Sequence, residues 1–496
     1  MKKFYIPTSI VYTNLSPHIG FALELIQADV LARYHRLLSE DVFFLTGTDE
    51  NGAKVAKAAE EAGKSPKNFV DEIVKKVKEL KEVLNLSNDD FIRTSDKKRH
   101  WSAVEKVWLK LKENGDIYKK KYKGLYCVGC EAFVKEKDLV DGKCPIHEKN
   151  PEVIEEENYF FRLSKYQNKL KKIIRAEKIK IIPETRKSEL LNFITQGLED
   201  TSCSRSREKL EWGIPVPGDN TQTVYVWLEA LGNYLSALDY ATNGDKFKKF
   251  WPPDVHCIGK DIFIRFHGSL WPAMLLSLKL ELPKTIFVHG FITVGGQKMS
   301  KSLGNVIDPF ELVKKYGADA VRYFLLREIP PTEDGDFTYQ KFEERYNSDL
   351  AKGLGNLVAR VLTMAERTKI QEYSHIATQP QINQAWKNYK KALEEFKFNE
   401  ALMAIWDLIS FADGYIERER PWEVITELPT KEIDQRTLGQ KVAINNLLFI
   451  LGNIAQMLQP FLPETSEKIF EQLGIKPDKK PWQFKIKKGK SLFPKI

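Results

Sequence analysis

Apolar residues recur at Ile19, Leu23, Ile26, Val30, Tyr34 and Leu37, spacings of three and four that give a helix one buried face. Ahead of it, residues 3–6 form a short strand-like run and residues 14–17 have turn chemistry. Behind it, residues 41–48 are an apolar run of strand length, and the polar Thr48, Asp49 and Glu50 follow its core. Strand, turn, helix and strand in that order predict a βαβ unit, whose ligands belong at the carboxyl ends of the strands. Similar strand-like runs return at residues 223–227, 255–258 and 285–289, with helical stretches between them. Residues 116–222 break this pattern with dense lysines, four cysteines and a turn-rich stretch from Trp212 to Asp219, and they read as an insertion into one α/β domain. From about residue 341 every periodic stretch is helical, punctuated by Pro421, Pro429, Pro460 and Pro463, which predicts a C-terminal bundle. The basic stretch 485–490 reads as a short tail or a final strand.

Composition narrows the class. With 42% hydrophobic and 29% charged residues the chain is neither disordered nor fibrous, and 496 residues exceed what one core fills, so about three domains are expected. The most apolar stretch, residues 442–462, is interrupted by Asn445, Asn446, Asn453, Gln456 and Gln459, which suits a packed helix better than a bilayer. No membrane association is expected. The N-terminus reads without an apolar signal core, and five cysteines in so long a chain fit a reducing, cytoplasmic compartment. Seventy-seven basic against 68 acidic residues leave +9, which permits a polyanionic partner without demanding one.

Three constellations carry chemistry. Cys127 and Cys130, then Cys144 and His147, pair with two-residue gaps across a thirteen-residue spacer. Tetrahedral zinc takes four such ligands, and with no open position the metal would be structural, one Zn2+ per chain. Cys203 and Cys257 lie outside this set and read as ordinary buried residues. Ser16-Pro17-His18-Ile19-Gly20 opens the first helix, where free N–H groups and the positive dipole end favour a phosphate, although a lone histidine there is more often structural. Gln297-Lys298-Met299-Ser300-Lys301-Ser302 lies between Gly295-Gly296 and Gly304; such a loop is either a solvated surface or a mobile clamp on a polyphosphate.

The His-Ile-Gly turn followed much later by Lys-Met-Ser-Lys-Ser resembles the paired signature of class I aminoacyl-tRNA synthetases. Phe44-Leu45-Thr46-Gly47-Thr48-Asp49-Glu50, Trp212 to Asp219, Tyr225-Val-Trp-Leu-Glu-Ala-Leu231, Ile258-Gly-Lys-Asp261, Phe287-Val-His-Gly290 and the knuckle extend the likeness to the methionyl-tRNA synthetase family over nearly the whole chain. The resemblance implies an α/β fold in which a Rossmann-like parallel-sheet catalytic domain is split by a zinc-knuckle insertion and followed by an all-α helical bundle. Its expected parts are residues 1–115 and 223–294 for the catalytic halves and 116–222 for the insertion. Residues 295–345 would hold the lysine loop and a stem-contact region, and 346–496 the anticodon-binding bundle. It further implies methionine on Ser9, Ile10, Tyr12, Asp49, Trp227, Ala230, Leu231 and Tyr234, with Ile264 and His267 nearby. ATP with Mg2+ would lie on His18, Gly20, Gly259, Asp261, Lys298 and Lys301, and the anticodon of tRNA(Met) on Asn356, Arg360 and Trp422. His18, Gly20, Lys298 and Lys301 are the implied catalytic set.

Three positions depart from the family pattern. Phe21 replaces a histidine and cannot hydrogen-bond a phosphate; Asn51 stands where histidine is usual; the run from Gly259 to His267 is one residue longer. The expected reaction is methionine activation by ATP followed by transfer to tRNA, in a monomer, since the sequence ends at Ile496 without an appended dimerising domain. Two rivals stand beside it: another class I synthetase, such as the cysteine enzyme, and a synthetase-derived tRNA-binding protein impaired by Phe21.

Overall fold

The computed structural model describes residues 1–496 apart from 15, 129–131, 135, 146–147, 209, 300–303, 369–376, 424–434, 479–481 and 488, with the backbone alone at 132, 133, 137 and 435–437. Two compact units emerge. The first comprises Met1–Ala28, His35–Glu82 and Leu86–His289; the second comprises Asp29–Tyr34, Val83–Asn85 and Gly290–Ile496.

The first unit is organised by parallel strands. Lys3–Pro7 pairs with Asp41–Asp49 in the register Lys3↔Asp41 to Pro7↔Leu45, and Asp41–Asp49 also pairs with Asp90–Arg93 and with the two-residue strand Val11–Tyr12. A second parallel set runs Val255–Gly259, Thr285–His289, Lys180–Ile182. The Thr8↔Cys257 bridge and the bond from Ser9 N–H to Cys257 O join the two sets edge to edge. The strand order therefore reverses between Lys3–Pro7 and Val255–Gly259, and it is beyond the carboxyl ends of strands at such a reversal that α/β sheets form their ligand crevice. The helix Ile19–Leu37 follows the predicted stripe, with Ile19, Leu23, Ile26, Val30 and Tyr34 all buried.

Two expectations change here. Residues 223–227 are not a strand of the parallel sheet. Thr223 and Val224 end the strand Asp219–Val224 of a small antiparallel sheet, and Val226–Leu231 is a helix. The β-branched and aromatic residues of that run favour extended backbone, which lasts to Tyr225, whose N–H still bonds the Cys203 carbonyl at 2.9 Å. A helix buries Val226, Leu228, Ala230 and Leu231 instead. The segment read as pure insertion also returns to the parallel sheet through Lys180–Ile182, three residues too few to leave a pattern.

The rest of that segment forms an antiparallel sheet of Ala132–Val134, Ile117–Cys127, Glu152–Phe161 and Thr201–Ser202. Its lysine density has a local cause: Lys121 faces Glu157 and Lys123 faces Glu155 across the strands, so opposite charges sit at paired positions.

The second unit holds the helices Asn356–Arg367, Gln379–Glu394, Phe398–Glu419, Gln435–Leu458 and Pro463–Leu473. The stretch Leu438–Leu458 is long and apolar enough to cross a membrane, but most of it is buried inside the unit. Close packing explains one of its glycines. A side chain at Gly452 would overlap the Trp482 ring. Residues 485–487 form no strand; Lys485 and Lys487 N–H donate to the carbonyls of Leu473 and Gln472 at a helix end. A buried ion pair also belongs to this unit: Arg322 Nη2 lies 2.8 Å from Asp29 Oδ2, both side chains being fully buried.

Candidate active site

Several residues singled out in the sequence lie near the strand-order reversal. His18 precedes the helix Ile19–Leu37, and its Nδ1 accepts the Gly20 N–H at 3.1 Å, leaving Nε2 to carry the ring proton. Burial holds the His18 ring below the usual imidazole range, against the pull of the Asp261 carboxylate. A neutral ring donating from Nε2 can bond a phosphate oxygen. Phe21 is only 7% exposed, so its side chain packs into the core. At the end of strand Val255–Gly259, a side chain on Gly259 would crowd the Asp261 carboxylate and touch the His289 ring, so the glycine leaves room for a ligand there.

Glu24 and His289 were missed by the sequence reading. Glu24 is buried one turn beyond Gly20 and accepts from both the Ser9 N–H (2.7 Å) and the Ser9 hydroxyl (2.6 Å) through one oxygen. Its other oxygen lies 2.8 Å from His289 Nε2. One carboxylate thus ties the ends of three elements around the crevice. A charged residue on the apolar face of the motif helix was the available signal.

Some of the implied methionine residues pair with one another, Tyr12 with Asp49 and Tyr234 with His267. Asp49 is buried at the end of its strand, paired in register with Tyr12, and Lys54 lies over the Tyr12 ring. Ser9, Ile10, Tyr12 and Ile264 are partly exposed, while Ala230, Leu231, Tyr234 and His267 are buried. Trp227 stacks on Phe266 with ring centroids 3.6 Å apart and planes 8° from parallel. Tyr234 Oη lies 2.7 Å from His267 Nε2, and His267 Nδ1 lies 3.3 Å from the Ile262 carbonyl. The carbonyl can only accept, so Nδ1 carries the proton and Tyr234 donates to Nε2. Burial pushes His267 down to about 4 and raises the Tyr234 phenol, consistent with both staying neutral. The run from Gly259 to His267 enters a π-helical turn, Phe263–Leu270, which carries both Phe266 and His267. From that turn Phe266 meets Trp227 and His267 meets Tyr234.

Of the proposed metal ligands, Cys130 and His147 lie outside the described residues. Cys127 and Cys144 are both buried in one small cluster with Val134. Among the described residues no three metal-binding side chains come together.

In the second unit Lys298 is exposed on the hairpin formed by Ile292–Val294 and Gln297–Lys298, its ammonium over the Phe291 ring, whereas Lys301 lies outside the described residues. Asn356 is exposed, and Arg360, one turn along, is held by Glu417 (2.6 Å) and Asp413 (3.5 Å). Trp422 is 45% exposed in the turn Pro421–Glu423 that follows Phe398–Glu419.

Comparison with known proteins agrees with this layout. The family described as tRNA synthetases class I (M) matches residues 4–149 and 134–362, and the anticodon-binding domain of tRNA ligase matches 380–492. A methionine–tRNA ligase of Caldanaerobacter subterraneus subsp. tengcongensis is 45% identical over the whole chain and 79% of its own length. That of Brucella suis is 41% identical over 97% of this chain and 93% of its own. Mycobacterium tuberculosis methionyl-tRNA synthetase in complex with methionyl-adenylate superimposes with a TM-score of 0.93 at 36% identity, covering all of both chains. With family models over most of its length and relatives at 41–45% identity matched along nearly the whole of this chain, the chain belongs to the methionine–tRNA ligases among the class I tRNA synthetases.

Proposed function

We propose that the chain activates L-methionine with ATP and transfers it to tRNA(Met) from the crevice described above. The methionine carboxylate attacks the α-phosphorus of ATP, giving methionyl-adenylate and releasing pyrophosphate. A terminal ribose hydroxyl of tRNA then attacks the methionyl carbonyl, and AMP leaves. No side-chain nucleophile is needed, because orientation and charge stabilisation carry both steps. Asp49 balances the substrate ammonium, Trp227, Tyr234 and Ile264 enclose the thioether, and His18 donates to a phosphate oxygen. Lys298 and Lys301 supply positive charge for the departing pyrophosphate. Mg2+ arriving with ATP would neutralise phosphate charge.

One observation carries this reading: an acid, an aromatic wall and a phosphate-ready helix start converge at the carboxyl ends of one parallel sheet. The end-to-end match to a synthetase holding methionyl-adenylate supports it, and favours neither the cysteine-type enzyme nor a non-catalytic relative. Methionine-dependent ATP–pyrophosphate exchange is the test. No exchange with methionine, or faster exchange with cysteine, would end the reading.

At the other end, we read Trp422 as a stacking platform for an anticodon base, with Asn356 and Arg360 bonding base edges. Its exposure leaves Trp422 little packing to lose. Stacking is worth ~1–3 kcal/mol per base, so Trp422→Ala should slow charging roughly five- to 150-fold. Exchange with methionine should not change. Equal fractional losses on tRNA with and without a CAU anticodon would argue against the role.

For the insertion we propose one structural zinc on Cys127, Cys130, Cys144 and His147. The shared burial of Cys127 and Cys144 supports it. Purified protein should hold about one zinc per chain, as a closed four-ligand site requires, and Cys130→Ala should lower that content. Stoichiometric metal analysis decides; full activity in a metal-free preparation would refute the site. Thiolate ligands of this kind fit work in the cytoplasm.

A further inference from the structure

A buried polar chain runs behind the wall assigned to methionine, through residues to which the reaction gives no role. Glu229 and His100 are both fully buried, and His100 Nε2 lies 2.7 Å from Glu229 Oε2. The other Glu229 oxygen accepts from Asn51 Nδ2 at 3.1 Å. Asn51 follows Asp49 by two residues and also reaches Thr94. On its far side His100 Nδ1 lies 3.0 Å from Ser236 Oγ. Ser236 has one hydroxyl proton, and it goes to the Asn233 carbonyl at 3.1 Å, so the Ser236 oxygen accepts from His100.

The chain joins the elements that form the pocket. Glu229 is on Val226–Leu231, which carries Trp227, Ala230 and Leu231; Ser236 is on Asn233–Ser236, which carries Tyr234. Helices of six and four residues are too short to hold their place by their own hydrogen bonds, so tertiary contacts must set them. One imidazole bridges the two. His100 itself sits in a π-helical segment, Lys97–Trp101, capped by the Asp96 carboxylate accepting from Lys98 and Arg99 N–H. Such turns are rare and frequent at functional sites, and a second one among the described residues of this unit carries Phe266 and His267.

We propose that His100 is a positioning residue for methionine: through Glu229 and Ser236 it sets the spacing of Trp227 and Tyr234, and hence the fit of the thioether pocket. This rests on the reading of that wall as the methionine site. The arrangement also explains why Asn51 is polar. Its amide donates to the buried Glu229 carboxylate, which would otherwise lose a partner.

Exchange kinetics with methionine and with ATP separate the possibilities. Wild-type exchange with methionine is the control for the functional reading, and its absence would defeat that reading alone. With that control positive, His100→Ala is expected to raise the KM for methionine about tenfold to a hundredfold, because small misplacements of binding groups cost that much. The KM for ATP should hold at the wild-type value. Glu229→Gln can keep every bond, its oxygen accepting from Asn51 and its amide donating to a neutral His100, so it should recover most of the methionine affinity that Glu229→Ala loses. Should His100→Ala fail to fold, Ser236→Ala removes one hydroxyl with its bonds to His100 and to the Asn233 carbonyl, leaves the His100–Glu229 contact in place, and should show a smaller rise in the same KM. An unchanged KM for methionine in a folded variant would overturn the proposal. Equal rises for methionine and ATP, or Glu229→Gln as damaging as Glu229→Ala, would do the same.

Discussion

Asp49→Asn is expected to cut methionine-dependent exchange roughly thirty- to four-thousandfold, since truncating one partner of a buried charge pair costs about 2–5 kcal/mol. The loss should fall on the KM for methionine, with the KM for ATP unmoved. Asparagine keeps the size of the side chain and the backbone carbonyl that accepts from the Thr13 N–H (2.9 Å) and hydroxyl (3.0 Å), so the fold should hold. Only the negative charge facing the substrate ammonium is removed. An analogue that lacks the amino group, 4-(methylthio)butanoate, should inhibit wild type and variant equally. If the variant loses affinity for this analogue as well, or melts at a clearly lower temperature, Asp49 is holding structure rather than the ammonium.

The second large effect concerns stability. Asp29→Ala should destabilise the protein by about 3–5 kcal/mol, the cost of leaving a buried charge without its partner. Burial already lowers the Arg322 pKa, and Asp29 opposes that shift. Isolated buried pairs are often replaced by apolar residues at no cost. Here the double variant Asp29→Leu with Arg322→Met should stay destabilised. Arg322 also donates to the carbonyls of Leu84, Pro460 and Phe461, which would lose their donor. Urea unfolding of the single and double variants checks this. A double variant as stable as wild type would show that those carbonyls find other partners.

Both predictions turn on partnerships that the linear pattern does not display. The helix Ile19–Leu37 was legible because its stripe of apolar residues spans five turns, and the runs at 41–48 and 285–289 because buried parallel strands are continuously apolar. The strand Lys180–Ile182 was not legible, since three residues inside a basic stretch carry no period. His100 lies in the run Asp-Lys-Lys-Arg-His-Trp, which reads as solvated surface, yet it is fully buried against Glu229.

Chemistry that depends on residue type at short spacing was determined by the sequence alone. The His-Ile-Gly turn belongs to this class, because one helix end brings His18 and the Gly20 N–H together whatever the rest of the chain does. Tertiary structure alone decided which distant groups meet. Glu24 reaches Ser9 and His289, His267 meets Tyr234 from a π-helical turn, and His100 closes on Glu229 across 129 positions. A buried polar atom takes whichever partner the packing presents, and packing is a property of the folded core, to which every strand and helix contributes at once.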